Sequence, residues 1–222
     1  MKLACYIDHT LLKADATPTQ VEALCHEARE HGFASVCVNA FFVPRASKLL
    51  KGSGVKVCTV VGFPLGASPT SVKLAETTWA LERGAQEIDM VISIAGVKAR
   101  EWDYVEDDIR QLAEACHKSG AILKVILEMC LLTQEEKIHC CELAWRAGAD
   151  FVKTSTGFST GGATVADVEL MRTVVGSNLG IKASGGIKDT AFAQELIAKG
   201  ATRLGTSAGV QLVKTGVASG GY

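Results

Sequence analysis

Two lysines lie inside short apolar stretches that are typical of buried β-strands. Lys153 occurs in Phe151-Val-Lys-Thr-Ser-Thr-Gly157, and Lys182 occurs in Ile181-Lys-Ala-Ser-Gly-Gly-Ile187. A lysine is rarely buried without a partner, because desolvating an ammonium group is costly and favours loss of its proton. If the two strands are neighbours, each positive charge also disfavours the other. A neutral lysine is a nucleophile, so the pair suggests a Schiff base with a carbonyl substrate.

A simpler interpretation exists for each lysine taken alone. A single strand lysine more often lies at a sheet edge and extends its amine to water. Here, however, both lysines come within two positions of a turn rich in hydroxyl groups and glycine. The repeated arrangement favours a catalytic pair over two independent edge residues.

Composition excludes several classes of function. The chain has 222 residues, of which 48% are hydrophobic and 21% charged, and its formal net charge is −1. This length fits one large domain, and the charge balance shows no basic excess that would suggest binding to nucleic acid or an anionic membrane. The apolar stretch 3–7 is too short for a signal peptide, and no stretch is long enough to span a bilayer. We expect a cytoplasmic protein with a small-molecule partner.

The eight cysteines do not have the spacing of a disulfide set or a zinc site. None of them forms a C-x-x-C motif, and His139-Cys140-Cys141 places adjacent residues on a helix, where they point in different directions. We therefore expect free thiols that behave as small buried hydrophobic residues, and no metal.

The order of elements predicts a repeat of strand and helix. Four helical patterns end at a glycine that is followed at once by an apolar strand, as expected for a left-handed helix cap: Gly32, Gly84, Gly148 and Gly200. Helix starts are predicted at Thr17-Pro18 and, from a capping box, at Thr133 with Glu136; Thr164 with Asp167 is a weaker copy. Alternation of strands and helices implies a parallel sheet.

Eight strands are predicted, which matches an α/β fold of the (β/α)₈ TIM-barrel type. Their expected ranges are 5–10, 34–38, 55–61, 87–92, 122–128, 151–154, 180–184 and 202–205. We expect a single barrel domain over residues 1–215 and a flexible C-terminal tail over 216–222. An open doubly wound sheet would more usually begin with a G-x-G-x-x-G turn, and the first connection, 10–17, contains no glycine.

Polar residues near the strand ends are the candidates for chemistry, because barrel enzymes react at the C-terminal ends of their strands. Asp89 is flanked by apolar residues in Glu87-Ile-Asp-Met-Val-Ile92. It must either form a buried ion pair with a lysine or carry protons, and the two roles can coexist. The full set of candidates is Asp8, His9, Cys37, Asn39, Asp89, Glu128, Lys153, Thr154, Lys182, Ser184 and Ser207.

The last two strands end in glycine and hydroxyl residues. They are followed by Ala183-Ser-Gly-Gly186 and Leu204-Gly-Thr-Ser-Ala208. In many barrels the loops after strands seven and eight bind phosphate through backbone amides and hydroxyl groups. A phosphorylated substrate is therefore favoured, whereas no P-loop or metal-ligand set indicates a nucleotide or a divalent ion.

Five segments together resemble the deoxyribose-phosphate aldolases, a family of class I aldolases. They are Cys5-Tyr-Ile-Asp-His-Thr-Leu-Leu12, Glu87-Ile-Asp-Met-Val-Ile92, the two lysine motifs, and Arg203-Leu-Gly-Thr-Ser207. The resemblance covers nearly the whole chain. It implies reversible cleavage of 2-deoxy-D-ribose 5-phosphate to D-glyceraldehyde 3-phosphate and acetaldehyde, through a lysine Schiff base and without metal or cofactor.

The resemblance also implies roles for individual residues. Lys153 would form the Schiff base, Lys182 would lower the pKa of Lys153, and Asp89 would transfer protons. Some family members have a lysine where this chain has Phe158, so one cation for the phosphate is missing. The residues expected to bind substrate are Asp8, Cys37, Thr154, Gly157, Gly185, Gly186, Gly205 and Ser207.

Two alternatives stay open. A transaldolase would use one lysine to transfer a larger ketose fragment, and a non-catalytic barrel would use both lysines to bind an anion. We also expect a homo-oligomer, most simply a dimer. The tail ends in Ser219-Gly-Gly-Tyr222, whose terminal phenol could reach over the barrel and assist proton transfer at the enamine carbon.

Overall fold

Eight parallel strands close into a barrel in chain order, which confirms the predicted fold class. The computed structural model describes residues 2–214, so the tail and Tyr222 lie outside the described residues. The strands are β1 Ile7–Leu11, β2 Ser35–Val38, β3 Lys56–Val61, β4 Glu87–Val91, β5 Ile122–Ile126, β6 Phe151–Lys153, β7 Gly180–Ser184 and β8 Arg203–Thr206.

Helices follow the strands and surround the barrel. Short 3₁₀ turns cover Leu3–Tyr6, Ala40–Phe42 and Met129–Leu131. Within residues 2–214, no helix is long and apolar enough to cross a membrane. The helices are α1 Pro18–His31, α2 Val43–Leu50, α3 Thr70–Glu82, α4 Ile94–Ala99, α5 Trp102–Lys118, α6 Gln134–Arg146, α7 Val165–Val175, α8 Thr190–Ala198 and α9 Gly209–Lys214.

The predicted helix boundaries are confirmed at both ends. The hydroxyl groups of Thr17 and Thr133 accept hydrogen bonds from the backbone of Gln20 and Glu136, and both form reciprocal capping boxes. The four glycines expected to follow helices all have positive φ angles, of 67°, 99°, 83° and 116° in chain order. A residue with a side chain would be strained there, so glycine lets each helix end and the next strand begin.

Two strands differ from the predicted ranges by two residues at one end, and all other strand ends agree to within one residue. The segment before Ile7 forms a 3₁₀ turn in which the Cys5 amide donates to the Lys2 carbonyl at 3.2 Å, so β1 begins two residues later than expected. Strand β5 ends at Ile126 because the backbone of Glu128 is left-handed, with φ of 53°. A left-handed residue cannot continue an extended strand.

The apolar core lies between the strands and the helices, whereas the space inside the barrel is lined by charged and thiol side chains. All eight cysteines are free thiols, as predicted. Six of them are buried, but Cys5 and Cys130 are exposed, so the expectation of burial is wrong for these two. Both precede or follow a strand in a 3₁₀ turn at the surface.

A buried ion pair outside the barrel joins α3 to α5. The Lys73 ammonium group donates to Asp108 Oδ2 at 2.5 Å and to the Val91 carbonyl at 3.0 Å, and both charged side chains are fully buried. Removing one member of such a pair strands an uncompensated charge. Lys73 thereby ties the helix layer to the end of β4, which carries Asp89.

We predict that Lys73→Met lowers the free energy of unfolding by about 3–5 kcal/mol, because Asp108 would stay buried without its cation. The double variant Lys73→Met/Asp108→Leu should lose much less, since no charge is left unpaired. Urea denaturation measures both. The exposed pair Arg45 with Glu22 is the control, and Arg45→Met should change little. Equal losses in the single and double variants would contradict this account.

Candidate active site

A cluster of contacting charged side chains fills the middle of the barrel. It contains four cations and three carboxylates, contributed by six of the eight strands: Asp8, Glu87, Asp89, Lys124, Lys153, Lys182 and Arg203. With every group ionised the cluster carries one positive charge in excess. An unbalanced charge in a buried site is unfavourable, so the arrangement favours loss of one proton.

Asp89 is the centre of this cluster. Its Oδ1 accepts from Lys124 at 2.8 Å and from the Cys58 thiol at 3.2 Å. Its Oδ2 accepts from both Lys153 and Lys182 at 2.8 Å. Burial alone would raise the pKa of Asp89, but the three lysines outweigh that effect and hold the pKa well below its usual range. Asp89 is therefore an anion that orients three amines.

Lys182 is paired more fully than Lys153. Besides Asp89, it contacts Asp8 Oδ2 at 2.5 Å, and Arg203 holds the other oxygen of Asp8 at 2.6 Å. Burial alone would lower the pKa of Lys182, but Asp8 and Asp89 outweigh it and raise the pKa. Lys182 is thus held as a cation directly beside Lys153, since the two are register partners on β6 and β7.

Lys153 is the cation with the fewest carboxylate contacts. It shares one oxygen of Asp89 with Lys182, whereas Lys124, Lys182 and Arg203 each contact two carboxylates. Its side chain is 3% exposed, compared with none for Lys124. Among the four cations of the cluster, Lys153 is therefore the one whose deprotonation breaks the fewest ion pairs.

The structure brings together the three residues predicted to be catalytic and adds a third buried lysine that sequence reasoning missed. Lys124 pairs with Glu87 at 2.7 Å and with Asp89. Burial alone would lower the pKa of Lys124, but Asp89, Cys58 and Glu87 raise it well above its usual value. Lys124 lies in an apolar stretch just as Lys153 does, so the same signal could have identified it.

Glu128 holds the loop that follows Lys153. Its carboxylate is 2% exposed and accepts from the Thr156 amide at 3.3 Å and from the Thr156 hydroxyl. In the described part of the chain its partners are amide, hydroxyl and thiol groups rather than cations. The Thr156 hydroxyl in turn accepts from the Phe158 amide at 3.0 Å. Glu128 therefore fixes the course of the β6–α7 loop.

Two other residues expected to bind substrate have structural contacts. The Thr154 hydroxyl donates to the Ser184 carbonyl at 3.3 Å and accepts from the Ser184 amide at 3.1 Å, so it links β6 to β7. A side chain at Gly205 would meet Lys182 Cε at 3.1 Å, so glycine there leaves room for that lysine. Thr154 therefore holds together the two strands that carry the lysines, and Gly205 leaves space for the Lys182 side chain.

The glycines expected to bind phosphate lie near one another. Gly157, Gly185 and Gly186 have φ angles of 84°, 82° and 77°, which a side chain would disfavour. A Cβ on Gly185 would lie 3.5 Å from Gly157 Cα, and a Cβ on Gly186 would meet open space. The buried hydroxyl of Ser155 has no hydrogen-bond partner within residues 2–214. The Ser155 hydroxyl is therefore available to a ligand on this face.

Ser207 and Phe158 lie at the edge of this region. Ser207 is exposed and borders a cavity of about 320 Å³ beside β1 and α1, together with His9. Phe158 is half exposed and packs edge-on against Phe63, with 5.2 Å between ring centres. This pair bridges the loops after β3 and β6, so the rim of the barrel is aromatic at this point.

Two thiols line the inside of the barrel beside Asp89. Cys37 and Cys58 are register partners on β2 and β3, and both are buried. Their sulfur atoms and a carboxylate oxygen of Asp89 lie within 4.8 Å of one another, which is the spacing of a potential metal site among the described residues. However, Asp89 already binds three ammonium groups, and these would compete with any metal ion.

Comparisons with known proteins agree with this geometry. Residues 2–221 match the family model described as DeoC/LacD family aldolase. A deoxyribose-phosphate aldolase from Streptococcus pneumoniae is 58% identical over all of both chains. A solved structure from Coccidioides immitis has a TM-score of 0.93 at 44% identity, covering 96% of this chain and 84% of that one. A tetrameric deoxyribose phosphate aldolase from Aeropyrum pernix has a TM-score of 0.90 at 36% identity, covering 96% and 90%.

The chain therefore belongs to the DeoC/LacD family of aldolases and is a carbon–carbon lyase. Within that family, the relatives that it matches over their full length are named deoxyribose-phosphate aldolases, which confirms the resemblance seen in the sequence.

We predict that Glu128→Ala lowers the free energy of unfolding by about 1–3 kcal/mol, because the Thr156 amide and hydroxyl lose their acceptor. Glu128→Gly should lose about 0.5–1 kcal/mol less, since glycine adopts the left-handed backbone without strain. Urea denaturation of both variants separates the two effects. An unchanged stability in Glu128→Ala, or a larger loss in Glu128→Gly, would contradict the assignment.

Proposed function

We propose that the protein reversibly cleaves 2-deoxy-D-ribose 5-phosphate to D-glyceraldehyde 3-phosphate and acetaldehyde through a Schiff base on Lys153. The observation that carries this proposal is the buried lysine pair on Asp89, in which Lys153 has the weakest ionic pairing. The matching relatives, which are named for this substrate, support the same choice.

The charge count explains how Lys153 becomes a nucleophile. Asp8 and Asp89 are held ionised, and Lys182 is held protonated by both of them. The excess positive charge of the cluster is then removed most easily at Lys153. In the resulting state Lys153 accepts a hydrogen bond from water or substrate, while Lys182 keeps the positive charge beside it.

The reaction then follows from residue chemistry. The Lys153 amine adds to the C1 aldehyde of the open-chain sugar, and loss of water gives an iminium ion. The C3 hydroxyl loses its proton, the C2–C3 bond breaks towards the iminium, and glyceraldehyde phosphate leaves an enamine on the lysine. Protonation of the enamine carbon and hydrolysis of the iminium release acetaldehyde and restore Lys153.

Asp89 stabilises the cationic intermediates and relays protons in these steps. Its Oδ2 is already 2.8 Å from the reacting nitrogen, so it faces the iminium charge as soon as that charge forms. Because three lysines keep Asp89 ionised, it is a weak base that passes a proton on through water rather than retaining it. Lys182 is close enough to supply a proton on the same side.

The phosphate group is proposed to bind at Gly157, Gly185, Gly186 and Ser207. The three glycines present backbone amides near one another, and Gly186 faces open space. The unpaired hydroxyl of Ser155 lies beside Gly185, where a substrate oxygen would satisfy it. The expected contribution of Tyr222 to proton transfer remains a proposal, since this residue lies outside the described part of the chain.

The protein is also proposed to form a homo-oligomer. Several large apolar side chains are exposed, including Phe41 and Leu65, and the Aeropyrum pernix relative is described as a tetramer. A light-scattering mass in solution distinguishes a dimer from a tetramer.

We predict that acetaldehyde and borohydride add about 28 Da to Lys153, the mass of an ethyl group on the reduced imine. Lys153→Arg should abolish the adduct and lower turnover more than about a thousandfold, because a guanidinium group stays protonated and cannot condense. Peptide mass spectrometry locates the adduct, and Lys137→Arg, at an ion pair outside the barrel, is the control. An adduct at another lysine would overturn the assignment. An absent adduct in the folded protein would favour a barrel that only binds anions.

We predict that Lys124→Met shifts the acidic side of the pH–rate profile upward by about one pH unit or more. The substitution removes the excess positive charge of the cluster, so Lys153 keeps its proton to a higher pH. Lys137→Met removes a charge outside the barrel and should leave the profile in place. An unchanged profile in a folded Lys124→Met protein would disprove the charge argument.

We predict that Ser207→Glu raises the KM for deoxyribose phosphate by about tenfold, which corresponds to roughly 1.4 kcal/mol of charge repulsion. Unphosphorylated deoxyribose should be affected much less, and Ser207→Ala is the uncharged control. Steady-state kinetics with both sugars tests this. Equal losses on both sugars would show that Ser207 shapes the loop rather than contacting phosphate.

A further inference from the structure

We propose that Cys37 and Cys58 are a peroxide-sensitive thiol pair that closes to a disulfide inside the barrel and reversibly stops the enzyme. The two residues are direct register partners on the adjacent parallel strands β2 and β3. Their sulfur atoms lie within 4.8 Å of each other, and both side chains point into the barrel near Asp89. Neighbouring strands lie about 4.8 Å apart, which is within the range of Cα separations that a disulfide bridges.

The surroundings give the two thiols different roles. Cys58 donates its S–H to Asp89 Oδ1 at 3.2 Å, so the neighbouring carboxylate keeps it protonated. The hydrogen bond from Cys58 and the charge of Lys182 outweigh burial and the nearby Asp89 carboxylate, so they lower the pKa of Cys37. Cys37 is therefore the thiol that reacts first, and Cys58 is the one that resolves it.

A hydroperoxide supplies the oxidising equivalents. The Cys37 thiolate attacks one peroxide oxygen, the O–O bond breaks, and the leaving hydroxide takes up the former thiol proton as water. Cys58 then attacks the sulfenic sulfur, its proton leaves with the hydroxyl group as a second water, and the S–S bond forms. Two thiols and one peroxide become one disulfide and two waters.

Peroxide reaches Cys37 and Cys58 through the mouth of the barrel, which is also the route of the substrate to Lys153. Lys153 is 3% exposed and Cys37 is 1% exposed, so both are reached only through the mouth of the barrel. Hydrogen peroxide is smaller than any aldehyde that an aldolase admits. The other buried cysteines lie in helices behind the barrel wall, where burial raises the pKa of Cys116 and of Cys140 to about 12. These thiols are protected from peroxide because they lie behind the barrel wall and stay protonated.

Disulfide formation disturbs the catalytic cluster. The Cys58 sulfur must leave Asp89 Oδ1 and move away from Lys124, which it contacts at 3.4 Å. Asp89 then loses one of the four donors that fix its orientation beside Lys153. A small misplacement of reacting groups costs orders of magnitude in rate, so turnover should fall by about tenfold or more while the fold is kept.

The test uses the full-length protein with the exposed thiols replaced, as Cys5→Ser/Cys130→Ser, and treated with equimolar hydrogen peroxide. Trypsin then yields the peptides 30–45 and 57–73, each with a single cysteine. We expect these two peptides to be joined, with a mass about 2 Da below their sum, and to separate when dithiothreitol is added. Activity should fall as the joined peptides form and return with the reductant.

Two variants in this background make the test specific. With Cys58→Ser, the joined peptides should disappear, and two or more equivalents of peroxide should add about 32 Da to Cys37 as sulfinic acid. Cys116→Ala should behave as the parent protein. Free Cys37 and Cys58 after treatment, or a sulfinic acid on Cys37 while Cys58 is present, would overturn the proposal, as would joined peptides with unchanged activity. The peptide masses report on the thiol pair even if borohydride trapping at Lys153 fails.

Discussion

The structure depends on a shortage of negative charge inside the barrel. Four cations meet three carboxylates, and each carboxylate is shared. Asp89 is shared most widely, because it accepts from three lysines with two oxygens. Burial makes every one of these charges expensive, so the cluster persists only if it is close to neutral. An amine that can give up its proton is the simplest way to reach that balance, and it is also what imine chemistry requires.

The surrounding fold preserves this arrangement at specific points. Gly205 leaves the space that the Lys182 side chain occupies. Thr154 links β6 to β7 directly above the two lysines, and Glu128 holds the following loop through Thr156. The barrel therefore does more than bring strand ends together. It also limits how far the Lys153 and Lys182 side chains can move from Asp89.

Much of the fold could be predicted from the sequence because the signals are local. The glycine caps and capping boxes depend on neighbouring residues, and the buried lysines stand out in apolar stretches. The left-handed backbone of Glu128 could not be predicted, because no residue type there demands it. The ion pair of Arg203 with Asp8 could not be predicted, because it joins the first and last strands. The sequence showed Arg203 only as part of a motif. The cluster as a whole follows from barrel closure, which no local pattern contains.

The most direct test of the account is the charge state of the three lysines of the barrel cluster, Lys124, Lys153 and Lys182, in the substrate-free protein. Lysine labelled with ¹³C at Cε reports protonation in the NMR spectrum, and single Lys→Arg variants assign each resonance. We expect Lys153 to give the amine resonance at neutral pH, while Lys124 and Lys182 give ammonium resonances. Ammonium resonances for all three lysines would contradict the account, and so would an amine resonance for Lys182 in place of Lys153.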